Sequence, residues 1–197
     1  MRPPGHSEQT PVFHMTHVSN LPAILRSGLI VAKNDLPGSG VTSIASEEVQ
    51  ARRATRIIPV MPGGTLHDYV PLYFAPRAPM LFCNHRRSIE DAQPQEEIIY
   101  LIFHAQEIAE NHSIVFFDRH AVLGMAEAFN DLDDLEKIDW RIFFEPPLVG
   151  GFSKYWGDRY DDARPHWSNR REIRQAEFLV HQSLNLSCIR QIAVHNP

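Results

Sequence analysis

Cysteine is scarce in this chain: Cys83 and Cys188 are the two among 197 residues. Two distant thiols make no disulfide framework, so a reducing cytoplasm fits and no disulfide is expected. No apolar run approaches the ~20 residues that a membrane helix needs. Met1-Arg2-Pro3-Pro4-Gly5-His6 lacks the apolar stretch of a secretory signal. An excess of positive charge is also missing. The formal net charge of −5 argues against a generally basic nucleic-acid binder. There is no Walker loop, no Gly-x-Gly-x-x-Gly, no His-Glu-x-x-His and no Gly-x-Ser-x-Gly. Eleven histidines invite a metal, but the nearest groups, His14 with His17 and Cys83 with His85, give no four-ligand set. No metal is expected.

What is present suits one globular domain over residues 1–197. Hydrophobic residues make up 43% and aromatics 10%, enough for a sizeable core. Arginine is clustered, at Arg52, Arg53 and Arg56, at Arg86 and Arg87, and at Arg170, Arg171 and Arg174. Asp131, Asp133, Asp134 and Glu136 form an acidic block. A local basic groove on an acidic body fits this pattern as well as solvated surface arginines do.

Residues 1–11 read as a loose arm. Val12–His17 alternates as a strand, with His14 and Thr16 on one face and Phe13 and Met15 on the other. Ser19 or Asn20 caps a helix with Pro22 in its first turn, an apolar stripe of Leu21, Ile24 and Leu25, and a stop at Gly28. A Pro/Gly-rich loop covers 34–42, and Ser43 or Ser46 opens a helix carrying Val49, Arg52 and Arg53. Pro62-Gly63-Gly64 is a turn. Val70–Phe74 and Ile114–Phe117 read as strands, and Ile98–Phe103 as a central strand buried on both faces. His120–Asn130 carries Val122, Met125, Ala126 and Phe129 at helical spacing. Residues 144–172 are irregular, with Tyr155, Trp156 and Trp167, a length usually functional or mobile. Glu177–Val180 and Ile189–Val194 close the chain as strands. Interspersed strands and helices without a βαβ period give an α+β class.

The most informative stretch is Arg174-Gln175-Ala176-Glu177-Phe178-Leu179-Val180. Glu177 stands at the mouth of an apolar strand, sharing a face with Leu179 and His181 and opposite Phe178 and Val180. A carboxylate there is neutralised, paired or functional. A buried salt bridge, for example with Arg53, is the structural alternative.

Separated motifs recur in one order: Phe13-His14-Met15-Thr16-His17 with Asn20-Leu21; Ser43-Ile44-Ala45 leading to Gln50-Ala51-Arg52-Arg53; Pro62-Gly63-Gly64 with His67-Asp68-Tyr69-Val70-Pro71; Tyr73-Phe74-Ala75-Pro76-Arg77-Ala78-Pro79-Met80-Leu81; Asp118-Arg119-His120; and Arg174–Val180. On these residues the chain resembles the DarT toxins, the DNA ADP-ribosyltransferases of toxin–antitoxin systems. The resemblance implies a PARP-like ADP-ribosyltransferase fold, two packed twisted sheets with flanking helices around an NAD⁺ cleft. It implies NAD⁺ as a consumed substrate and transfer of ADP-ribose to a base of single-stranded DNA, thymine in the branch these motifs match. Glu177 and Arg53 would be catalytic. His14, Thr16, Asn20, Arg53 and Tyr73 would hold NAD⁺. Arg77, Arg119, His120, Arg170, Arg171 and Arg174 would contact DNA, with the 144–172 loop recognising it. The expected partners are single-stranded DNA and a macrodomain-type antitoxin that removes ADP-ribose; the enzyme is expected to be a cytoplasmic monomer. Alternatives are transfer to guanine, RNA or protein, and an inert nucleic-acid-binding module.

Overall fold

A computed structural model describes residues 9–144, Pro165 and residues 169–195. The arm's residues 1–8 and most of the 144–172 loop, with Tyr155, Trp156 and Trp167, lie outside the described residues.

Among the described residues nine strands form in chain order: β1 (Pro11–His17), β2 (Leu29–Val31), β3 (Tyr69–Tyr73), β4 (Ile98–His104), β5 (Ile114–Phe117), β6 (Ala128–Phe129), β7 (Glu177–His181), β8 (Ser183–Asn185) and β9 (Gln191–Ala193). The α-helices are α1 (Leu21–Ser27), α2 (Glu47–Thr55), α3 (Pro79–His85), α4 (Ala105–Asn111), α5 (Arg141–Phe144) and α6 (Arg170–Ile173). The α+β class holds. Seven strands make one sheet in the order β6-β5-β7-β3-β1-β4-β9, and β2 pairs with β8 in a small second one.

The large sheet is nearly divided. β1 joins β3 at the single register pair Phe13↔Tyr73. Its other edge is zipped to β4 from Pro11↔His104 to His17↔Ile98. On the far side, β3 runs along β7 from Tyr69↔His181 to Tyr73↔Glu177. Two half-sheets, β6-β5-β7-β3 and β1-β4-β9, therefore hinge about Tyr73. They share one core, with Val12, Ile99, Leu101 and Phe103 from one half and Leu72, Phe116, Phe178 and Val180 from the other.

Strand alternation decides what each face does. Phe178 and Val180 enter that shared core. Leu179 points the other way, into a second core with Tyr69, Val115 and Phe117. Glu177 has the parity of Leu179, so a carboxylate emerges on the second face at the head of β7.

Helix ends follow their capping chemistry. Pro22 lies in the first turn of α1, and Gly28 ends it at φ +70°, which suits a residue without Cβ. Leu21 and Ile24 pack on the core, but Leu25 is 59% exposed, because this short helix buries a narrow stripe. Ser46 precedes α2, with Glu47 and Glu48 in its first turn and Arg52 and Arg53 in its last, charges that complement the helix dipole.

Three expectations need correction. The Ile98–Phe103 strand extends to His104 and lies one place in from the sheet edge, between β1 and β9, rather than centrally. The closing strand narrows to Gln191–Ala193. Residues 120–130 form no helix. Their backbone groups are claimed by tertiary partners: Arg52 Nη2 donates to Val122 O (3.3 Å), and Arg56 donates through Nε to Ala121 O (3.2 Å) and through Nη2 to Leu123 O (3.1 Å). Ala128 and Phe129 become β6, paired with Phe117 and Phe116. Val122 and Ala126 are buried as the helical spacing suggested, whereas Met125 is 61% exposed. The α3 helix and β8 carried too short a pattern to be read.

Phe178 anchors the shared core beside Phe74, whose ring lies 5.9 Å away in an edge-on contact. Phe178→Ala should remove about 3–5 kcal/mol of stability, read as a lower urea midpoint with an unchanged slope. A shift under about 1 kcal/mol would contradict the shared-core description.

Candidate functional site

The site is built where β7 begins. Glu177 is 0% exposed and stands opposite Tyr73 in the β3–β7 ladder. A bare carboxylate in that position would cost several kcal/mol. Arg53, carried in by the last turn of α2, answers it. Its Nη1 donates to Glu177 Oε2 at 2.6 Å, and Arg53 is itself 5% exposed. The other oxygen, Oε1, accepts the Ala121 backbone N–H at 3.2 Å, and His120 Nε2 lies 3.8 Å from it. Each carboxylate oxygen thus has a donor. The guanidinium does not fare as well: Arg53 Nη2 is buried with no hydrogen-bond partner among the described residues.

The electrostatics follow from this pair. Burial pulls the Arg53 pKa down, but the Glu177 charge beside it outweighs that, and the net direction is up. Burial, then the Glu177 charge, pushes the Tyr73 hydroxyl well above its ordinary range. His120 moves down, through burial and the charges of Arg53, Arg52 and Arg171, against the pull of Glu177. Burial thus favours the neutral form of the imidazole beside Glu177. His67, bonded at 3.1 Å to Gln50 one turn before Arg53, also moves down through burial and the Arg53 and Lys33 charges.

Across the hinge lie the residues of β1. His14 Nδ1–H donates to the Pro71 carbonyl at 2.9 Å, beyond the single β1–β3 register pair. That bond fixes the tautomer and leaves Nε2 as an acceptor. Burial lowers the His14 pKa, only partly offset by this bond. Thr16 Oγ1 accepts from Asn20 Nδ2 at 3.1 Å. The Asn20 amide is engaged at both ends by Thr42: Nδ2 donates to Thr42 O and Oδ1 accepts the Thr42 N–H, both at 2.9 Å. Asn20 so anchors the segment that leads into α2. His17, at the end of β1, donates through Nε2–H to Glu97 Oε2 at 2.8 Å, and its Nδ1 accepts the Ser19 N–H at 3.1 Å.

The arginines expected on DNA differ in burial. Arg77 and Arg171 are exposed. Arg119 is partly buried and clamps Asp118 Oδ2 through Nε and Nη2, both at 2.8 Å. Arg170 and Arg174 are buried, and Arg174 donates to Ile142 O at 3.0 Å with its guanidinium 5.6 Å from the Phe143 ring centre. The sequence missed the Ala121 N–H because a backbone donor carries no residue signature. Cys83 and Cys188 are free thiols. Among the described residues no group of three or more His, Cys, Asp or Glu could hold a metal, and no helix is long and apolar enough to cross a membrane.

Comparison with known proteins converges on one family. Residues 13–197 match the family model described as "ssDNA thymidine ADP-ribosyltransferase, DarT". A DNA ADP-ribosyl transferase of Thermus sp. (strain 2.9) is 38% identical over 192 residues, 97% of this chain and 84% of that protein. The structure of Thermus sp. 2.9 DarT in complex with ADP-ribosylated ssDNA superposes with a TM-score of 0.82 at 38% identity, covering 96% of this chain and 83% of that one. The same protein in complex with NAD⁺ gives a TM-score of 0.78 at 37% identity, with the same coverage.

Two outcomes follow from the geometry. Arg53→Met should lose about 3–5 kcal/mol by stranding the Glu177 charge, and Arg53→Met combined with Glu177→Leu should recover most of it. A double variant as unstable as the single one would contradict the pairing. His14 and His120 take up protons less readily in the fold than at the unfolded value of 6.5. The unfolded chain then binds more protons, so stability falls as pH drops below about 6.5. A urea midpoint unchanged between about pH 7.5 and pH 5.5 would contradict this.

Proposed function

The chain belongs to the DarT family of single-stranded DNA thymidine ADP-ribosyltransferases, and from that premise we propose that it transfers ADP-ribose from NAD⁺ to thymine in single-stranded DNA, releasing nicotinamide. The observation that carries the reading is the half-satisfied ion pair. Glu177 is fully buried and held by Arg53, yet Arg53 keeps a buried N–H without a partner. A purely structural salt bridge would satisfy both groups. Here one donor is left for a substrate.

The roles follow from charge and reach. Breaking the nicotinamide–ribose bond builds positive charge at the anomeric carbon, as in glycoside chemistry. Glu177, an anion fixed in a water-poor site, stabilises that charge without reorganising and accepts a ribose hydroxyl. The electron pair leaves on nicotinamide. Arg53 Nη2 donates to an oxygen of the acceptor base, and its permanent charge suits a base losing its ring N–H proton. Neutral His120, with Nε2 3.8 Å from Glu177, is the acceptor within reach for that proton. His14, through its free Nε2, and Thr16 seat the adenosine ribose of NAD⁺ from β1, with Tyr73 flanking the cleft at the hinge. Asn20 serves that seat by holding Thr42. Arg77, Arg119 and Arg171, with residues 144–172, meet the DNA. A macrodomain-type antitoxin, a cytoplasmic location and a monomeric state belong to the same reading.

Labelled NAD⁺ offered separately to single-stranded DNA, double-stranded DNA, RNA and protein tests it. Label should enter single-stranded DNA that contains thymidine and miss an oligonucleotide without it. Label in protein alone would overturn the reading, and labelling of the thymine-free strand would move the acceptor to guanine. Glu177→Gln should reduce transfer by about three orders of magnitude, the scale of losing a preorganised electrostatic group, with an unchanged circular dichroism spectrum.

A further inference from the structure

One carboxylate beside this site has no use in the scheme above. Glu172 lies in α6, and its Oε2 is buried with no hydrogen-bond partner among the described residues. A buried acceptor left unmade is costly, and natural structures retain few of them. Arg119 feels the Glu172 charge, but its Nε and Nη2 both close on Asp118 Oδ2. The Glu172 backbone is fastened to the catalytic centre, because its carbonyl accepts the His120 N–H at 3.0 Å, and His120 reaches Glu177. Asn169, whose carbonyl accepts the Glu172 N–H at 2.9 Å, is held at φ +64°, an uncommon conformation for a residue with a Cβ.

The position of the group narrows its ligand. Asp118, Arg119 and His120 follow β5, and β5 flanks β7 on the side away from β3 and β1. The residues assigned to NAD⁺, His14, Thr16 and Tyr73, lie on that opposite side. An ionised carboxylate only accepts. On the DNA flank, the donors that set cytosine, adenine and guanine apart from thymine and uracil are their exocyclic amino groups, and a carboxylate accepting from the cytosine amino group is a known form of base readout.

We propose that Glu172 is a specificity residue that accepts a hydrogen bond from the exocyclic amino group of a base adjoining the target thymine. The unpartnered Oε2 is the protein's half of that bond, and the acceptor strand supplies the other. Arg119 is engaged with Asp118 and leaves the Glu172 oxygen unoccupied.

The inference rests on the DNA-acceptor reading, and one experiment separates their failures. Single-stranded oligonucleotides with one target thymidine and cytosine or uracil at each neighbouring position are offered to the protein with labelled NAD⁺. At one position cytosine should give about tenfold faster transfer than uracil, which differs in carrying a carbonyl in place of the amino group. Glu172→Gln, which can donate as well as accept, should erase or reverse that ratio while leaving the KM for NAD⁺ unchanged. A cytosine-to-uracil ratio near one at every position in the parent protein overturns the inference, and so does a ratio that survives Glu172→Gln. A raised KM for NAD⁺ with the ratio intact would assign Glu172 to the dinucleotide and overturn it as well. If no oligonucleotide is labelled by either protein, it is the DNA-acceptor reading that falls, and the inference with it.

Discussion

The structure depends on the charge pair between Arg53 and Glu177. Its partners come from residues 124 positions apart, one at the end of a helix and one at the start of a strand. Both are withdrawn from water, so each is tolerable only because the other is there. The helix must enter from the correct direction, and the lead-in to α2 is fixed accordingly: Asn20 grips Thr42, Asn84 Nδ2 donates to Ile44 O at 2.8 Å, and Arg52 and Arg56 on the same helix hold the 121–123 backbone. That backbone returns the Ala121 N–H to Glu177. The pair, the loop and the helix thus form a closed circuit of hydrogen bonds around one carboxylate.

The hinge in the sheet gives that circuit its opening. A fully zipped β1–β3 ladder would close the large sheet beside Glu177. Pairing at Phe13↔Tyr73 alone leaves the two half-sheets joined at one point, with Tyr73 next to Glu177 on one side and Phe13 on the other. His14 spans the separation through the Pro71 carbonyl. The shared core of Phe74, Phe116, Phe178 and Leu101 keeps the halves from parting further. In the proposed function the dinucleotide lies on the β1 side of this hinge and the acceptor on the β5 side.

Much of this was legible in the sequence because it is written in local patterns. Alternation across Glu177–Val180 alone puts the carboxylate on the face opposite Phe178. The Gly28 stop, the Ser46 start and the Pro62-Gly63-Gly64 turn each carry their own steric reason. Arg53 was named as a partner for Glu177, and the two meet. What failed was decided by distant contacts. The 120–130 stretch has helical spacing, but arginines from α2 take its carbonyls and β5 takes Ala128 and Phe129. The burial of Arg170 and Arg174 is likewise set by the packing around them. The contact of Asn20 with the Thr42 backbone is likewise made across a distance in sequence. None of these outcomes has a signature within a few residues of the position concerned.

The central claim is that Arg53 and Glu177 hold the reacting ends of NAD⁺ and the acceptor base. The most direct measurement is a crystal structure of the Glu177→Gln protein with NAD⁺ and a thymidine-containing oligonucleotide. The account predicts Arg53 Nη2 within hydrogen-bonding distance of the acceptor base and residue 177 beside a hydroxyl of the nicotinamide ribose. A complex in which both substrates bind productively elsewhere, with Arg53 Nη2 still unpartnered, would contradict it.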